Sequence, residues 1–140
     1  MELIVERVDV WGASITDEAG SLARLLTGLK EAGADLDFIL ARRTPEKPGT
    51  GVVFVTPLRG DREVAAAAEL GFNVTKSVSC VRVEGENRPG VAAEIAQKLG
   101  EAGINLRGFS AAVIGTRFII YIGLHTAADA VNAVNILPKA

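Results

Sequence analysis

The sequence predicts an α+β protein built from two similar halves, each ordered strand, helix, strand, turn, strand, helix. Three observations carry this. The chain matches itself at an offset of seventy residues, each half holds one apolar stripe with helical spacing, and each then holds two runs rich in β-branched or aromatic residues.

The repeat fixes the order of elements. Identical pairs at offset seventy are Val8/Val78, Gly20/Gly90, Ala23/Ala93, Leu29/Leu99, Glu31/Glu101, Ala32/Ala102, Gly33/Gly103, Leu36/Leu106 and Ala41/Ala111. Beyond them the offset drops to sixty-six, where Gly49-Thr50 matches Gly115-Thr116. The lost length falls at Pro45 to Pro48, a turn-rich stretch. Leu22, Leu25, Leu26 and Leu29 make the first helical stripe, and Ala92, Ile95, Ala96 and Leu99 the second. Gly33 and Gly103 sit where left-handed C-terminal caps belong. Strands are expected over 35–43 and 105–114, then 51–58 and 117–124. Alanine-rich helices close each half, with Asp61 and Thr126 as expected N-caps. With one more strand each half is βαββαβ, a ferredoxin-like sandwich with both helices on one face of an antiparallel sheet.

The halves divide at 1–71 and 72–140, yet the second lacks a final strand. Residues 2–6 align with 72–76, so the N-terminal segment is expected to complete the second sheet in exchange for 72–76; a single long first strand is the alternative. A helix-free face bearing Val8, Val10, Val78 and Cys80 would expose an apolar patch, and a homodimer is expected to cover it.

Composition narrows the function. The chain is 49% hydrophobic, carries a net charge of -2 and has only 5% aromatics, which excludes a disordered chain and argues against nucleic acid. No apolar run approaches the roughly 20 residues of a membrane span, and the start resembles no signal peptide, so a cytoplasmic location is expected. His125 is the sole histidine and Cys80 the sole cysteine, leaving no catalytic or metal-ligating set; no cofactor is expected.

The informative segment is the turn from first strand to first helix, Gly85-Glu86-Asn87-Arg88-Pro89-Gly90-Val91, with Ile15-Thr16-Asp17-Glu18-Ala19-Gly20-Ser21 as its counterpart. Amides of a first helical turn lack intrahelical acceptors and carry the positive end of the dipole, so they suit a carboxylate. Pro89 fixes φ, Gly90 admits close approach, and Asn87 offers both donor and acceptor. A plain helix start reads the same way.

Glu86-Asn87-Arg88-Pro89-Gly90-Val91, with Ala102-Gly103-Ile104-Asn105-Leu106 one helix later, resembles the ACT domain, and most closely the serine-sensing ACT domain of phosphoglycerate dehydrogenase. That resemblance implies small regulatory domains pairing side by side and binding amino acids between them. It matches Asn87 to the loop asparagine that grips the ligand and Asn105 to the asparagine supplied by the adjacent domain. The histidine two residues before the loop asparagine is Gly85 here, which puts serine in doubt. One pocket would join Asn87, Arg88, Pro89, Gly90 and Val91 to Asp35 and Leu36; the other would join Asp17, Glu18, Ala19 and Gly20 to Asn105 and Leu106. The expected function is a non-enzymatic amino-acid sensor, alone or with a partner enzyme. The alternatives are an assembly subunit acting without ligand, and a small acylphosphatase-like enzyme with Arg88 as its only phosphate-loop arginine.

Overall fold

The computed structural model describes residues 2–74 and 78–138. The elements run β1 (Leu3–Thr16), α1 (Ser21–Glu31), β2 (Phe38–Arg43), β3 (Thr50–Thr56), α2 (Gly60–Glu69), β4 (Val78–Glu86), α3 (Val91–Glu101), β5 (Leu106–Ile114), β6 (Arg117–Leu124) and α4 (Ala127–Ile136). The chain divides into two compact units, 1–8 with 78–140, and 9–77. β1 belongs partly to each. No helix among the described residues is long and apolar enough to cross a membrane.

In the first unit the sheet order is β1, β4, β6, β5, and β6 pairs antiparallel with both β4 and β5. Alternation along β6 turns Phe118, Ile120, Ile122 and Leu124 to one side, where Val91, Ile95 and Leu99 of α3 and Ala130 and Ala133 of α4 meet them. Leu3 joins this core at 1% exposure, packed with Val81 and Val83 although nearly eighty residues precede them. Ile4, the next side chain along β1, points away and is 47% exposed. Thr126 caps α4 as expected, its hydroxyl accepting from the Asp129 amide at 3.0 Å.

In the second unit β3 pairs antiparallel with β1 and β2. Its core gathers Ala13, Leu25, Leu29, Val53, Val55, Leu58, Ala67 and Phe72, with Trp11, Leu22, Leu26, Leu36 and Val74 packed at its margin. The Asn73 amide donates to the Gly12 carbonyl at 2.9 Å. Thr75 and Lys76 of the 72–76 segment lie outside the described residues.

Three sequence expectations need correction. Asp61 does not cap α2; the helix begins at Gly60 behind Arg59, and Glu63 reaches back to accept the Arg59 amide at 2.8 Å, so a first-turn carboxylate does the capping. Val8, Val10, Val78 and Cys80 form no exposed patch: Val10 and Cys80 are buried and the other two half-buried. Among the described residues, most of the exposed large apolar side chains lie instead on edge strands, Ile39 and Leu40 of β2 and Phe109, Val113 and Ile114 of β5, with Ile4 of β1 and Val131 and Ile136 of α4 besides.

The third correction concerns register. Ile15 faces Gly51 in the β1–β3 ladder, whereas Gly85 faces Phe118 in the β4–β6 ladder, so the third strands correspond at an offset of sixty-seven, not sixty-six. A shift of one residue would exchange the two faces of a strand. At sixty-seven the buried Val53 and Val55 fall on the buried Ile120 and Ile122. The large and small partners are interchanged between the two ladders, which keeps the local volume.

Candidate functional site

The β4–α3 turn takes its shape from two residues. Asn87 donates its amide to the Thr116 carbonyl at 2.8 Å, tying the turn to the β5–β6 hairpin, and Gly90 adopts φ 85°, a left-handed conformation that glycine alone enters without strain. α3 then starts at Val91 with no side chain capping it among the described residues; the Val91 amide donates to the Arg88 carbonyl at 3.2 Å, so the first-turn amides left facing the groove are those of Ala92 and Ala93. These residues open onto a groove of about 470 Å³ within the first unit. Asn87, Arg88, Pro89, Gly90 and Val91 form one wall, and Ala111 and Val113 of β5 with Phe118 and Ile120 of β6 form the other.

Arg88 sits at the rim and its guanidinium donates through both terminal nitrogens to the Glu94 carboxylate. This hydrogen bond holds the Glu94 carboxyl below its usual range and raises the Arg88 value. Both groups are exposed, so the pair positions Arg88 more than it stabilises the fold.

The counterpart turn in the second unit is built differently. The Asp17 amide donates to the Gly49 carbonyl at 2.9 Å and Gly20 has φ 88°, so the backbone bends alike. Its side chains, however, satisfy one another: Thr16 donates to Glu18 at 3.1 Å and lies 3.1 Å from the Ser21 hydroxyl, while Arg43 holds Asp17 at 2.8 Å. Arg43 thus engages one of the two carboxylate oxygens of Asp17.

The remaining candidates do not line this groove. Asn105 and Leu106 stand where β5 begins, five residues or more before Ala111, or roughly 17 Å along an extended strand. Asp35 is exposed, and Leu36 packs against the core of its own unit. The sequence reading missed Ala111, Val113, Phe118 and Ile120, because nothing local marks which strand residues end beside a turn. The match of Ala41 to Ala111 was the one available hint.

Position 85 explains the missing histidine. A Cβ there would lie 3.0 Å from the Glu2 carbonyl oxygen, 3.1 Å from the Phe118 ring and 3.2 Å from Leu3. Any side chain there requires the Glu2 carbonyl, Phe118 and Leu3 to give way by a few tenths of an ångström. Among the described residues no group of three or more His, Cys, Asp or Glu could hold a metal ion.

Residues 79–134, which lie in the first unit, are similar to the ACT domain family. No curated protein matches the chain. Among solved structures, protein BT0572 from Bacteroides thetaiotaomicron superposes with a TM-score of 0.77 at 13% identity, covering 94% of this chain and 88% of that one. The ligand-free regulatory subunit of aspartate kinase from Thermus thermophilus gives 0.60 at 20% identity, covering 96% and 95%. An aspartokinase structure with alpha and beta subunits gives 0.60 at 19%, covering 96% and 98%. Identities this low establish a shared fold.

Proposed function

We propose, taking the ACT domain at residues 79–134 as premise, that this chain is a non-enzymatic regulatory protein whose ligand is an amino acid held at the β4–α3 turn. The observation that carries the reading is the open groove beside uncapped first-turn amides of α3. Those amides take the ligand's α-carboxylate, the dipole favours the negative charge, and the Asn87 side chain orients the ammonium. A ligand so placed lies against both the helix start and β5, so its binding biases how these two elements pack.

The wider architecture belongs to the same proposal. The chain is read as a tandem of ACT repeats, 1–71 and 72–140, with strands 2–6 and 72–76 exchanged; the identities at offset seventy and the burial of Leu3 beside Val81 support this. Asp35 and Leu36 would complete the pocket at Asn87, and Asn105 and Leu106 the one at Asp17, each across a repeat interface as the ACT resemblance implies. The Arg43 pair at Asp17 makes the latter the weaker site. A homodimer and a partner enzyme are part of the reading, the second supported by the fold shared with an aspartate kinase regulatory subunit. The exposed Phe109, Val113 and Ile114 on β5 favour a second reading, an assembly subunit acting through protein contacts alone.

A thermal-shift screen of the twenty amino acids on the full chain separates the two. At a hundredfold excess over Kd a ligand adds about 2.7 kcal/mol of stability, several degrees at this chain length. Asn87→Ala should weaken the active ligand by about 1–3 kcal/mol. A screen in which nothing shifts the melting point, or a shift indifferent to Asn87→Ala, ends the ligand reading and leaves the assembly one.

A further inference from the structure

We propose that the groove selects an amino acid with an uncharged aliphatic side chain, of valine to leucine size, over polar, acidic or basic ones. This inference rests on the reading above, in which the carboxylate lies on the α3 amides; its own ground is the rest of the lining. In the β5–β6 ladder Ala111 pairs with Ile120 and Val113 with Phe118, so two adjacent cross-strand pairs present hydrocarbon to the groove. Phe118 and Ile120 are 3% and 1% exposed, making the floor continuous with the core. Val113 is 55% exposed, an apolar wall that this chain leaves uncovered. A volume of about 470 Å³ is in the range of small-molecule pockets.

Charge decides against the other classes. Arg88 is the one charged side chain in the lining among the described residues, and its guanidinium is engaged by Glu94, which lies outside the groove. An acidic side chain would meet a guanidinium whose charge Glu94 already offsets, and gains little from it. A basic one would lose water with no carboxylate in the lining to replace it. A hydroxyl would find hydrocarbon around it, since Asn87 is the lining's neutral polar side chain and is taken up with the ammonium. Each buried methylene of an aliphatic side chain, by contrast, is worth about fourfold in affinity.

Isothermal titration of the full chain with glycine, alanine, valine, leucine, serine, threonine, aspartate and lysine tests this. Affinity should rise about fourfold per added aliphatic carbon up to leucine, with aspartate and lysine at least tenfold weaker than leucine. Ala111→Leu, at an exposed position where folding tolerates bulk, should fill the groove and weaken leucine at least tenfold. Serine, threonine, aspartate or lysine binding as tightly as leucine overturns the selectivity and leaves the amino-acid reading standing. Leucine binding unchanged in Ala111→Leu overturns the placement of its side chain. Absence of binding by all eight overturns the selectivity, and if the thermal-shift screen of all twenty is also silent the amino-acid reading falls with it.

Discussion

Leu3→Ala isolates what the N-terminal segment contributes to the first unit. Leu3 is 1% exposed among Val81, Val83, Phe118 and Ile120, so truncation removes three carbons from a packed core. Transfer of those carbons alone is worth about 2.4 kcal/mol at about 0.8 kcal/mol per carbon. The strand is pinned on one side by β4, so the core cannot collapse fully, and a residual cavity of about 50 Å³ brings the cost to about 3.5 kcal/mol. Ile4 supplies the control: one residue along, 47% exposed and facing away, it should lose less than about 1 kcal/mol on truncation to alanine. Urea denaturation followed by circular dichroism reads both, as shifts of midpoint at constant slope. Equal costs for Leu3→Ala and Ile4→Ala, or a cost below about 0.5 kcal/mol for the first, would refute the inference that residues 2–6 are structural members of this core.

Three further outcomes are expected. Gly85→Ala forces a Cβ against the Glu2 carbonyl, the Phe118 ring and Leu3, and should cost about 1–3 kcal/mol in the same denaturation assay, with a larger histidine costing more. Thr126→Ala removes the hydroxyl that accepts from Asp129 and should cost about 0.5–2 kcal/mol, restored largely by Thr126→Ser. The Glu84 carboxyl is held below its usual range, first by its hydrogen bond from Arg82 at 3.0 Å and then by Arg117. Because its folded value lies below the unfolded one near 4.3, its stabilisation is present above that pH and drains away as pH falls through the folded value. Glu84→Gln should therefore flatten the acid limb of a melting-temperature profile while leaving the limb above pH 6 parallel to wild type.

The order of elements was legible in the sequence because its signals are local. Gly33 and Gly103 adopt φ 93° and 78° at helix ends as their positions demand, and Thr126 caps its helix through the amide three residues on. The turn at Asn87 is local in part, through Gly90 at φ 85°, while its tie to the Thr116 carbonyl comes from a distant hairpin. Even so, local reading misplaced the cap of α2, since Asp61 and Glu63 are both first-turn acids and only the backbone path chooses between them.

The chain's own letters thus determined which segments become helix or strand and where one helix offers bare amides, for these follow from φ preferences and contacts within four residues. Tertiary structure alone decided the β-ladder register and the union of Ala111, Val113, Phe118 and Ile120 with the turn. The physical reason is the two-residue period of a strand. A slip of one position inverts its faces, and the side chains that resolve the choice come from elements distant in sequence.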